Sequence, residues 1–328
     1  MNERILTHSD ALNEALRQAL EADPAVFVMG QGVDDPFAMH GCTRGLAARF
    51  GEKRVFDTPL SEAALAGVAL GAALNGMRPV YMHNRPDFLL LAMDQIANHA
   101  APWRVMFGGA AGRAPLVIWA ASGRGWGAAA QHSQALHGLF LHVPGIKIAL
   151  PATPYDAKGL MTVAIRDPGP VLVFDHRDNF SFSGPVPEEA YAVPFGKGVI
   201  RRQGRDLTIA AVSRMVREAL SAAETLAGRG IEAEVLDLRS IRPIDHDLIA
   251  ESTAGTGRLL VCDTGYPVGG LAAEVAATAA ERIFGKLKAP PARLALPDCA
   301  APAGPTLEAA YFPDAARVVR AAIDLMRR

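Results

Sequence analysis

The sequence predicts an α/β protein built on parallel sheets. Short apolar runs that suit buried strands alternate with helical periods along most of the 328 residues. The runs at residues 26–29 (VFVM) and 114–121 (APLVIWAA) are apolar on both faces, as expected of strands that helices cover on both sides. The alternation is interrupted at residues 177–198, which are rich in turn formers and lack a period. We therefore expect two α/β domains joined by a linker.

The first half supplies predicted elements that a parallel sheet needs. A helix begins at Ser9, and a long helix follows Asp87 as far as Gly109. Thr153, Pro154 and Asp156 form a well-signalled helix start, with a cap, a first-position proline and a first-turn carboxylate. Further strands are predicted at residues 55–56, 79–83, 114–121, 146–150 and 171–174.

The α/β alternation restarts after the irregular stretch. Strands are predicted at residues 207–212, 232–238, 258–262 and 292–296. Helices are predicted at residues 215–228, 245–252, 269–284 and 313–327. This half is expected to form a second, smaller α/β domain.

Composition and charge exclude several classes of protein. Half of the residues are hydrophobic and 20% are charged, which is typical of a globular core. The formal net charge of −1 predicts no broad attraction to nucleic acid or to an anionic membrane. The early charges in MNERILTHSD predict no signal peptide, and no uncharged run reaches the roughly 18 residues of a membrane span. Cys42, Cys262 and Cys299 are far apart and lack metal-ligand spacing, so we expect a reduced, cytoplasmic protein without a metal site of its own.

One carboxylate stands out within an otherwise uncharged helix. The stretch from Arg54 to Gly76 breaks at Thr58-Pro59, and its predicted helix begins at Ser61 and stops at Gly76. A helix with so little polarity should be buried, and a buried glutamate is almost never unpaired. Glu62 therefore either complements the helix dipole in the first turn or meets a ligand.

Several common catalytic motifs are missing. The glycine-rich run SGRGWG at residues 122–127 does not match a dinucleotide fingerprint, because its third glycine is misplaced. The sequence contains neither a GxxxxGK[ST] phosphate loop nor a GxSxG elbow. His132 and Ser133 are neighbours in sequence, which does not place a nucleophile opposite a base. By itself, His132 is equally explained as a helix-start histidine bonded to nearby backbone.

Several motifs in a fixed order nevertheless carry a resemblance to a known family. RVFDTPLSEAALAGVALGAALNG is followed by GAAAQHSQAL, by ALPATPYDAKGLM and by DLRSIRPID. The chain resembles the beta subunit of the thiamine-diphosphate-dependent 2-oxo acid dehydrogenases, the decarboxylating component of the pyruvate and branched-chain complexes. It is equally similar to the C-terminal two-thirds of transketolase. The resemblance implies a pyrimidine-binding domain at residues 1–180, a linker at 181–199 and a transketolase C-terminal domain at 200–328.

The resemblance also implies roles for individual residues. Glu62 matches the family glutamate that bonds N1′ of the aminopyrimidine, where proton sharing favours the imino tautomer that deprotonates the thiazolium C2. Phe88 matches the aromatic residue that stacks on the pyrimidine, although it is also one apolar residue among others in DFLLLAM. His132 matches the histidine that lines the channel near the thiazolium. Asn84 lies in a loop that borders the cofactor pocket in the family. Asp156 lies in a segment where some members bind a structural potassium ion, and helix capping explains it equally.

Departures from the family concern the substrate side. Typical dehydrogenase beta subunits carry an acidic and aromatic run where this chain has Tyr81 to Pro86. His83, Arg85 and Arg124 are candidates for binding a phosphate or sugar hydroxyls, as in transketolases. Alternatively, the two arginines pair with acidic residues of a partner subunit.

The motif that holds the diphosphate through Mg²⁺ is absent, since no GDG occurs in the chain. By family analogy, an alpha subunit carries this motif. The analogy implies an α₂β₂ assembly that includes contacts between beta subunits. Nucleic acid and membrane are not expected as partners. A lipoyl acyltransferase would be the next partner of an oxidative complex. The implied function is decarboxylation of a 2-oxo acid with transfer of the acyl unit. Two alternatives are a two-subunit transketolase-like ligase that transfers a two-carbon unit and a non-catalytic scaffold homologue.

Overall fold

The computed structural model describes residues 4–35, 37–109, 112–125 and 127–328. Trp126 of the glycine-rich run lies outside the described residues. The chain divides into two compact units that are interleaved in sequence. The first unit comprises Met1–Ser122 and His142–Phe195, and the second comprises Gly123–Leu141 and Gly196–Arg328. The sequence predicts two consecutive domains. In the structure, residues 123–141 belong to the second unit, whereas the strands that flank them belong to the first.

The strands, numbered in chain order, are short. They are β1 Ile5–Thr7, β2 Val26–Gly30, β3 Val55–Phe56, β4 Arg78–His83, β5 Val117–Ser122, β6 Lys147–Ala149, β7 Val171–His176, β8 Ser183–Pro185, β9 Val199–Arg202, β10 Leu207–Ala211, β11 Ala233–Asp237, β12 Ser240–Arg242, β13 Leu259–Cys262 and β14 Ala292–Leu294.

The α-helices alternate with these strands. They are α1 His8–Ala22, α2 Leu46–Phe50, α3 Glu62–Leu74, α4 Trp103–Met106, α5 His137–Leu141, α6 Pro154–Arg166, α7 Arg214–Ala227, α8 His246–Thr256, α9 Leu271–Ile283, α10 Pro305–Tyr311 and α11 Ala315–Met326.

A parallel sheet forms the centre of the first unit. Its strands follow the order β6-β7-β5-β4-β2-β3, and each neighbouring pair is parallel. Both faces of this sheet are covered, because the central strands β2, β5 and β7 are buried along their whole length. Helices α1 and α6 pack against each other, and their apolar sides join the core beside Val28, Trp119 and Val173. This architecture confirms the predicted α/β class with parallel strands.

The second unit contains a smaller sheet in the order β14-β13-β10-β11-β9. Strands β10, β11, β13 and β14 run parallel, whereas β9 pairs with β11 in the antiparallel direction at the edge. Helices α7 and α11 pack together, as do α8 and α9. The strands β1, β8, β9 and β12 and helix α10 were not expected from the sequence, because each is too short to show a period.

The long helix expected from Asp87 to Gly109 is not continuous. The chain forms a 3₁₀ helix at Pro86–Ala92, a π-helical turn at Gln95–Ala100 and the short α4. The N–H of Ala101 donates to the carbonyl of Ile96, five residues earlier, at 2.9 Å. Pro102 follows and has no N–H to donate, which ends the run before α4 begins. The expectation of one helix was wrong. The apolar pattern continues through all three pieces, and it does not show that the hydrogen bonding changes from 3₁₀ to π to α.

Helix α3 is less buried than its composition suggests. It has the expected bounds between Ser61 and Gly76, but Ser61 makes no side-chain capping bond. Ala66, Ala69 and Ala73 face the core, whereas Val68 is 59% exposed. The expectation that an uncharged helix is buried is therefore only half fulfilled within this chain. An apolar face remains exposed.

Candidate active site

The topology places a crevice between the carboxyl ends of β2 and β4. Strand β2 leads to β3 on one side, whereas β4 lies on its other side and leads to β5. Ligands of open α/β sheets bind at such a point, where neighbouring strands send their connections in opposite directions. Gln31 follows β2 and Asn84 follows β4, and the side-chain amide of Asn84 donates to Oε1 of Gln31 at 3.4 Å. Amide groups from both strands therefore meet at this edge.

Gly30 allows the two strand ends to approach each other closely. Its φ of +147° is a conformation that residues with a side chain rarely adopt. A Cβ atom at this position would lie 2.4 Å from the carbonyl oxygen of Met82. No other residue fits there without displacing the backbone of β4.

Glu62 is the first residue of α3, the helix that follows β3 at the same end of the sheet. The side chain is partly buried, and its carboxylate makes no hydrogen bond or ion pair to the described residues. Burial raises the pKa of the Tyr81 phenol, and the negative charge of Glu62 raises it further. Glu62 is therefore close enough to the end of β4 to act on Tyr81 electrostatically. A carboxylate in this position is free to accept a proton or a hydrogen bond from a ligand.

His83 ends strand β4 and is held neutral. The side chain is 4% exposed, and burial lowers its pKa to about 3. Its ring contacts that of Tyr81, with 4.3 Å between the ring centroids. Within the described part of the chain, Nε2 of His83 finds no hydrogen-bond partner. A neutral imidazole with an unused nitrogen can bind an uncharged polar group.

Arg85 and Phe88 lie in the loop and 3₁₀ helix that follow His83. The guanidinium of Arg85 donates from Nη1 to the carbonyl of Asn84 at 2.8 Å. Burial lowers the pKa of Arg85, and the charge of Asp87 opposes that shift. Phe88 is partly buried, and its N–H donates to the carbonyl of Arg85 at 3.3 Å. Nη1 of Arg85 is thus engaged by its own loop, whereas its buried Nε makes no hydrogen bond to the described residues.

His132 and Arg124 belong to the second unit. His132 is partly buried in a turn, where its N–H donates to the carbonyl of Ala129 at 3.3 Å. The guanidinium of Arg124 lies over the ring of Phe312, with 5.6 Å to the centroid. Of the seven predicted site residues, five therefore lie at the end of β4 or at the start of α3 in the first unit, and two lie in the second.

Asp156 takes part in the capping bonds of its helix, whose N-cap is Thr153. The hydroxyl of Thr153 accepts from the N–H of Asp156 at 3.1 Å and donates to Oδ2 of its carboxylate at 2.5 Å. Asp156 is fully buried. This geometry supports the capping explanation that the sequence left open beside the potassium site.

Two features of the site were missed in the sequence. The amide pair of Gln31 and Asn84 joins residues 53 positions apart, which no local pattern reveals. The second is a buried pair in the second unit, where Nε2 of His137 lies 3.0 Å from Oδ1 of Asp263. A histidine five residues after His132 was the only available signal, and nothing in the sequence pointed to its partner.

The first-unit residues suit an aminopyrimidine ring. Glu62 supplies a carboxylate acceptor, the Asn84 and Gln31 amides supply donors and acceptors, and Phe88 supplies an aromatic face. The unused nitrogen of His83 adds a polar atom at the same strand end. Among the described residues, no group of His, Cys, Asp or Glu side chains could hold a metal ion. The described residues thus offer groups for a ring, and no such cluster among them could hold the metal of a metal-bound diphosphate.

None of the helices in the described residues is long and apolar enough to cross a membrane.

Two family models match the chain. The transketolase pyrimidine-binding domain matches residues 5–182, and the transketolase C-terminal domain matches residues 196–318. The beta subunit of the acetoin:2,6-dichlorophenolindophenol oxidoreductase of Cupriavidus necator is 45% identical, with 97% of this chain and 96% of the relative covered. The 2-oxoisovalerate dehydrogenase subunit beta of Bacillus subtilis is 41% identical, with 94% of each chain covered.

A solved structure agrees on the fold. A split-gene transketolase, described as an inactive beta4 tetramer, superposes with a TM-score of 0.77 at 24% identity and covers 98% of each chain. With both family models, the relatives and the fold in agreement, the chain belongs to the transketolase-like family of beta subunits that serve thiamine-diphosphate-dependent 2-oxo acid dehydrogenases and related enzymes.

Proposed function

We propose that this chain is the beta-type subunit of a thiamine-diphosphate-dependent enzyme that decarboxylates a 2-oxo acid and passes on the acyl unit. The observation that carries the proposal is the carboxylate of Glu62. It stands at the start of α3, beside the crevice between β2 and β4, without a partner among the described residues. Thiamine diphosphate, when bound, supplies a nucleophilic carbon that attacks the substrate carbonyl and stabilises the charge left by decarboxylation.

Glu62 would exchange a proton with the pyrimidine ring of the cofactor. A carboxylate can hold a proton on one oxygen and release it again, which suits a group that exchanges a proton with a ring nitrogen. Phe88 would support one face of the ring, and Asn84 would bind its polar edge. His132, from the second unit, would exchange a proton with the substrate oxygen.

An alpha subunit would complete the active site. This chain has neither a GDG motif nor a described cluster of metal ligands, so the partner would hold Mg²⁺ and the diphosphate. An exposed apolar surface on the first unit supports a partner subunit. We name it the α3 face, and it comprises Leu60 and Val68, just before and on α3, together with Leu91 on the 3₁₀ helix that packs against α3; these side chains are 79%, 59% and 60% exposed. A patch of this kind on a monomer marks an interaction site.

The names of the relatives support further subunits and partners in the proposed assembly. Their names as beta subunits support an α₂β₂ arrangement, and the dehydrogenase relatives support a lipoyl acyltransferase as the acceptor of the acyl unit. We expect this assembly in the cytoplasm. The capping bonds of Asp156 favour a helix start over a potassium ion at that position.

Cleavage of a hydroxyketone is the second candidate. Relatives at 45% and 41% identity are named for acetoin, which is an uncharged hydroxyketone. The buried, neutral His83, whose Nε2 has no partner among the described residues, favours an uncharged substrate group at the end of β4. Assay of the assembled complex with acetoin and with a panel of 2-oxo acids distinguishes the two candidates, because the preferred substrate gives the higher kcat/KM.

Replacement of Glu62 tests the main proposal. We expect Glu62→Gln to lower kcat of the assembled complex by about 100-fold or more, because the amide cannot exchange the proton. Thiamine diphosphate binding and the melting temperature should change little, because the side chain has no described partner to lose. Glu52→Gln, an exposed glutamate ten residues earlier, serves as the matched control. Activity of Glu62→Gln within twofold of the control would favour a non-catalytic role for the chain.

A further inference from the structure

The segment that carries His132 joins the second unit, although strands of the first unit flank it in sequence. Residues 123–141 lie between β5 and β6, yet they pack with residues 196–328. The described residues at 123–125 and 127–136 form turns and irregular structure without a helix or strand. Gly123, Gly125 and Gly127 all have positive φ angles, as does Ala129. A segment of this kind needs contacts elsewhere to hold one conformation.

The strongest contact is a buried histidine–aspartate pair. Nε2 of His137 lies 3.0 Å from Oδ1 and 3.1 Å from Oδ2 of Asp263. The side chains are 1% and 0% exposed. Because a carboxylate can only accept, Nε2 carries the proton that joins them. Asp263 directly follows β13, and its N–H donates to the carbonyl of Leu294 at 3.0 Å, so the carboxylate is fixed to the sheet.

The backbone around this pair is packed without spare room. A Cβ at Gly265 would lie 2.6 Å from Oδ2 of Asp263 and 3.0 Å from Nε2 of His137. A Cβ at Gly138 would lie 3.3 Å from Cα of Gly270. At the end of α5, Arg242 donates to the carbonyl of Leu141 at 2.7 Å. The His137 end of the segment is therefore fixed by buried hydrogen bonds and by close packing.

The other end of the segment is held more weakly. The N–H of Gly125 donates to Oε1 of Glu308 at 3.3 Å, and Arg124 lies over the ring of Phe312. Both contacts involve partly exposed groups, which contribute less than a buried pair. His132 lies between the two ends, seven residues after Gly125 and five before His137.

We propose that the His137–Asp263 pair is a positioning device that holds the segment 123–141, and with it His132, on the second unit. The catalytic part of this inference rests on the proposed function, in which His132 exchanges a proton with the substrate. His137 itself does not touch the substrate in this scheme. It acts by keeping His132 in one place, and loss of the pair releases the segment from its better-fixed end.

Three variants separate this role from general stability. His137→Phe removes the ring nitrogen, whereas His137→Gln places an amide nitrogen close to the position of Nε2 and can restore the bond to Asp263. Gly265→Ala loosens the pair by steric contact and removes neither partner, which keeps the test valid if His137→Phe fails to fold. Thr208→Val is the matched control, because it removes a buried hydrogen bond to Thr256 elsewhere in the same unit.

Trypsin cleavage after Arg124 reports release of the segment without reference to activity. In the full chain, we expect His137→Phe and Gly265→Ala to be cut into residues 1–124 and 125–328 about tenfold faster than the Thr208→Val control, because local opening exposes the segment. His137→Gln should remain close to the unmodified chain. Cleavage of the loosened variants at the rate of the control would overturn the proposal.

Kinetics of the assembled complex test the positioning of His132. We expect kcat to fall about tenfold or more in His137→Phe and Gly265→Ala, with KM and cofactor affinity within about twofold and with recovery in His137→Gln. An unchanged kcat in a variant that trypsin cuts faster would overturn the positioning role. If the unmodified complex shows no thiamine-diphosphate-dependent turnover, the proposed function fails, while the cleavage rates still decide whether the pair holds the segment.

Discussion

His83 couples the candidate site to the stability of the first unit. Burial lowers its pKa to about 3 from the ordinary 6.5 that it regains on unfolding. Between these two pH values the unfolded chain binds a proton that the folded chain does not, so stability falls as pH drops below 6.5. Above pH 6.5 both states are neutral at this side chain and the contribution disappears.

Replacement of His83 should therefore flatten the acid side of the stability curve. We expect the melting temperature of His83→Gln to fall less between pH 7 and pH 5 than that of the unmodified chain, as measured by thermal unfolding at each pH. His142→Gln is the matched control, because His142 is exposed and should leave the slope unchanged. Equal slopes for the two variants would show that His83 is protonated in the folded chain.

At the residue scale, candidate site residues could be predicted from the sequence where they lie within a short, recognisable motif. Glu62 could be predicted because a lone carboxylate begins an apolar helix after Thr58-Pro59. The Asp263 partner of His137 could not, because 126 residues separate them and their pairing depends on the end of β13. The neutral state of His83 follows from its burial. The sequence of β4 does not show how deeply this side chain is buried.

At the element scale, helices α1 and α6 are joined by a buried charge network. Lys158 is fully buried, and its ammonium donates to Glu14 at 2.9 Å and to the carbonyls of Pro187 and Glu188. Burial alone would raise the pKa of Glu14, but hydrogen bonds from Arg4 and Lys158 outweigh it and hold that pKa below its ordinary value. The network therefore stabilises the unit above the unfolded pKa of the carboxyl and weakens as acid protonates it.

Removal of Lys158 should be costly because its partners stay buried. We expect Lys158→Met to lower the free energy of unfolding by about 3 kcal/mol, since Glu14 loses one of its cations and two carbonyls lose a donor. Urea unfolding measures this change, with the exposed Lys53→Met as control. A loss below about 1 kcal/mol would mean that Arg4 and water compensate fully.

The α3 face makes a separate prediction about assembly. Val68→Glu places a charge on the exposed apolar side of α3 that the proposed partner covers, which should weaken association about tenfold or more. The isolated chain should keep its melting temperature, because Val68 is 59% exposed. Analytical ultracentrifugation of the mixed subunits measures the effect. Ser221→Glu, on the exposed side of α7, should assemble normally, and normal assembly of Val68→Glu would place the partner elsewhere.

Helix and strand patterns located most of the longer elements but not their internal changes. The bounds of α3 and the capped start of α6 follow from Ser61, Gly76 and Thr153. The division of residues 86–106 into 3₁₀, π and α pieces was hidden, because an apolar stretch looks the same in each. The exposed side of α3 was also hidden, because an uncharged helix has the same composition whether one side or all of it is buried.

At the scale of the whole molecule, the two α/β units were predictable but their interleaving was not. The alternation of strands and helices on either side of residues 177–198 indicates two sheets. Residues 123–141 leave the first unit between β5 and β6 and return after α5. The glycine-rich run at residues 122–127 indicates a turn there but not a change of unit. Contacts such as that of His137 with Asp263 decide it, and they exist only in the folded chain.

Reconstitution with an alpha subunit tests most directly whether this chain is half of an active site. Thiamine diphosphate binding and substrate turnover are measured for the purified chain, for an alpha subunit that carries GDG, and for their mixture. We predict weak cofactor binding and no turnover by the chain alone, because its sequence has no GDG motif and its described residues include no cluster that could hold the metal. The mixture should bind the cofactor and turn over a 2-oxo acid or acetoin. Robust decarboxylation by the isolated chain would contradict the account.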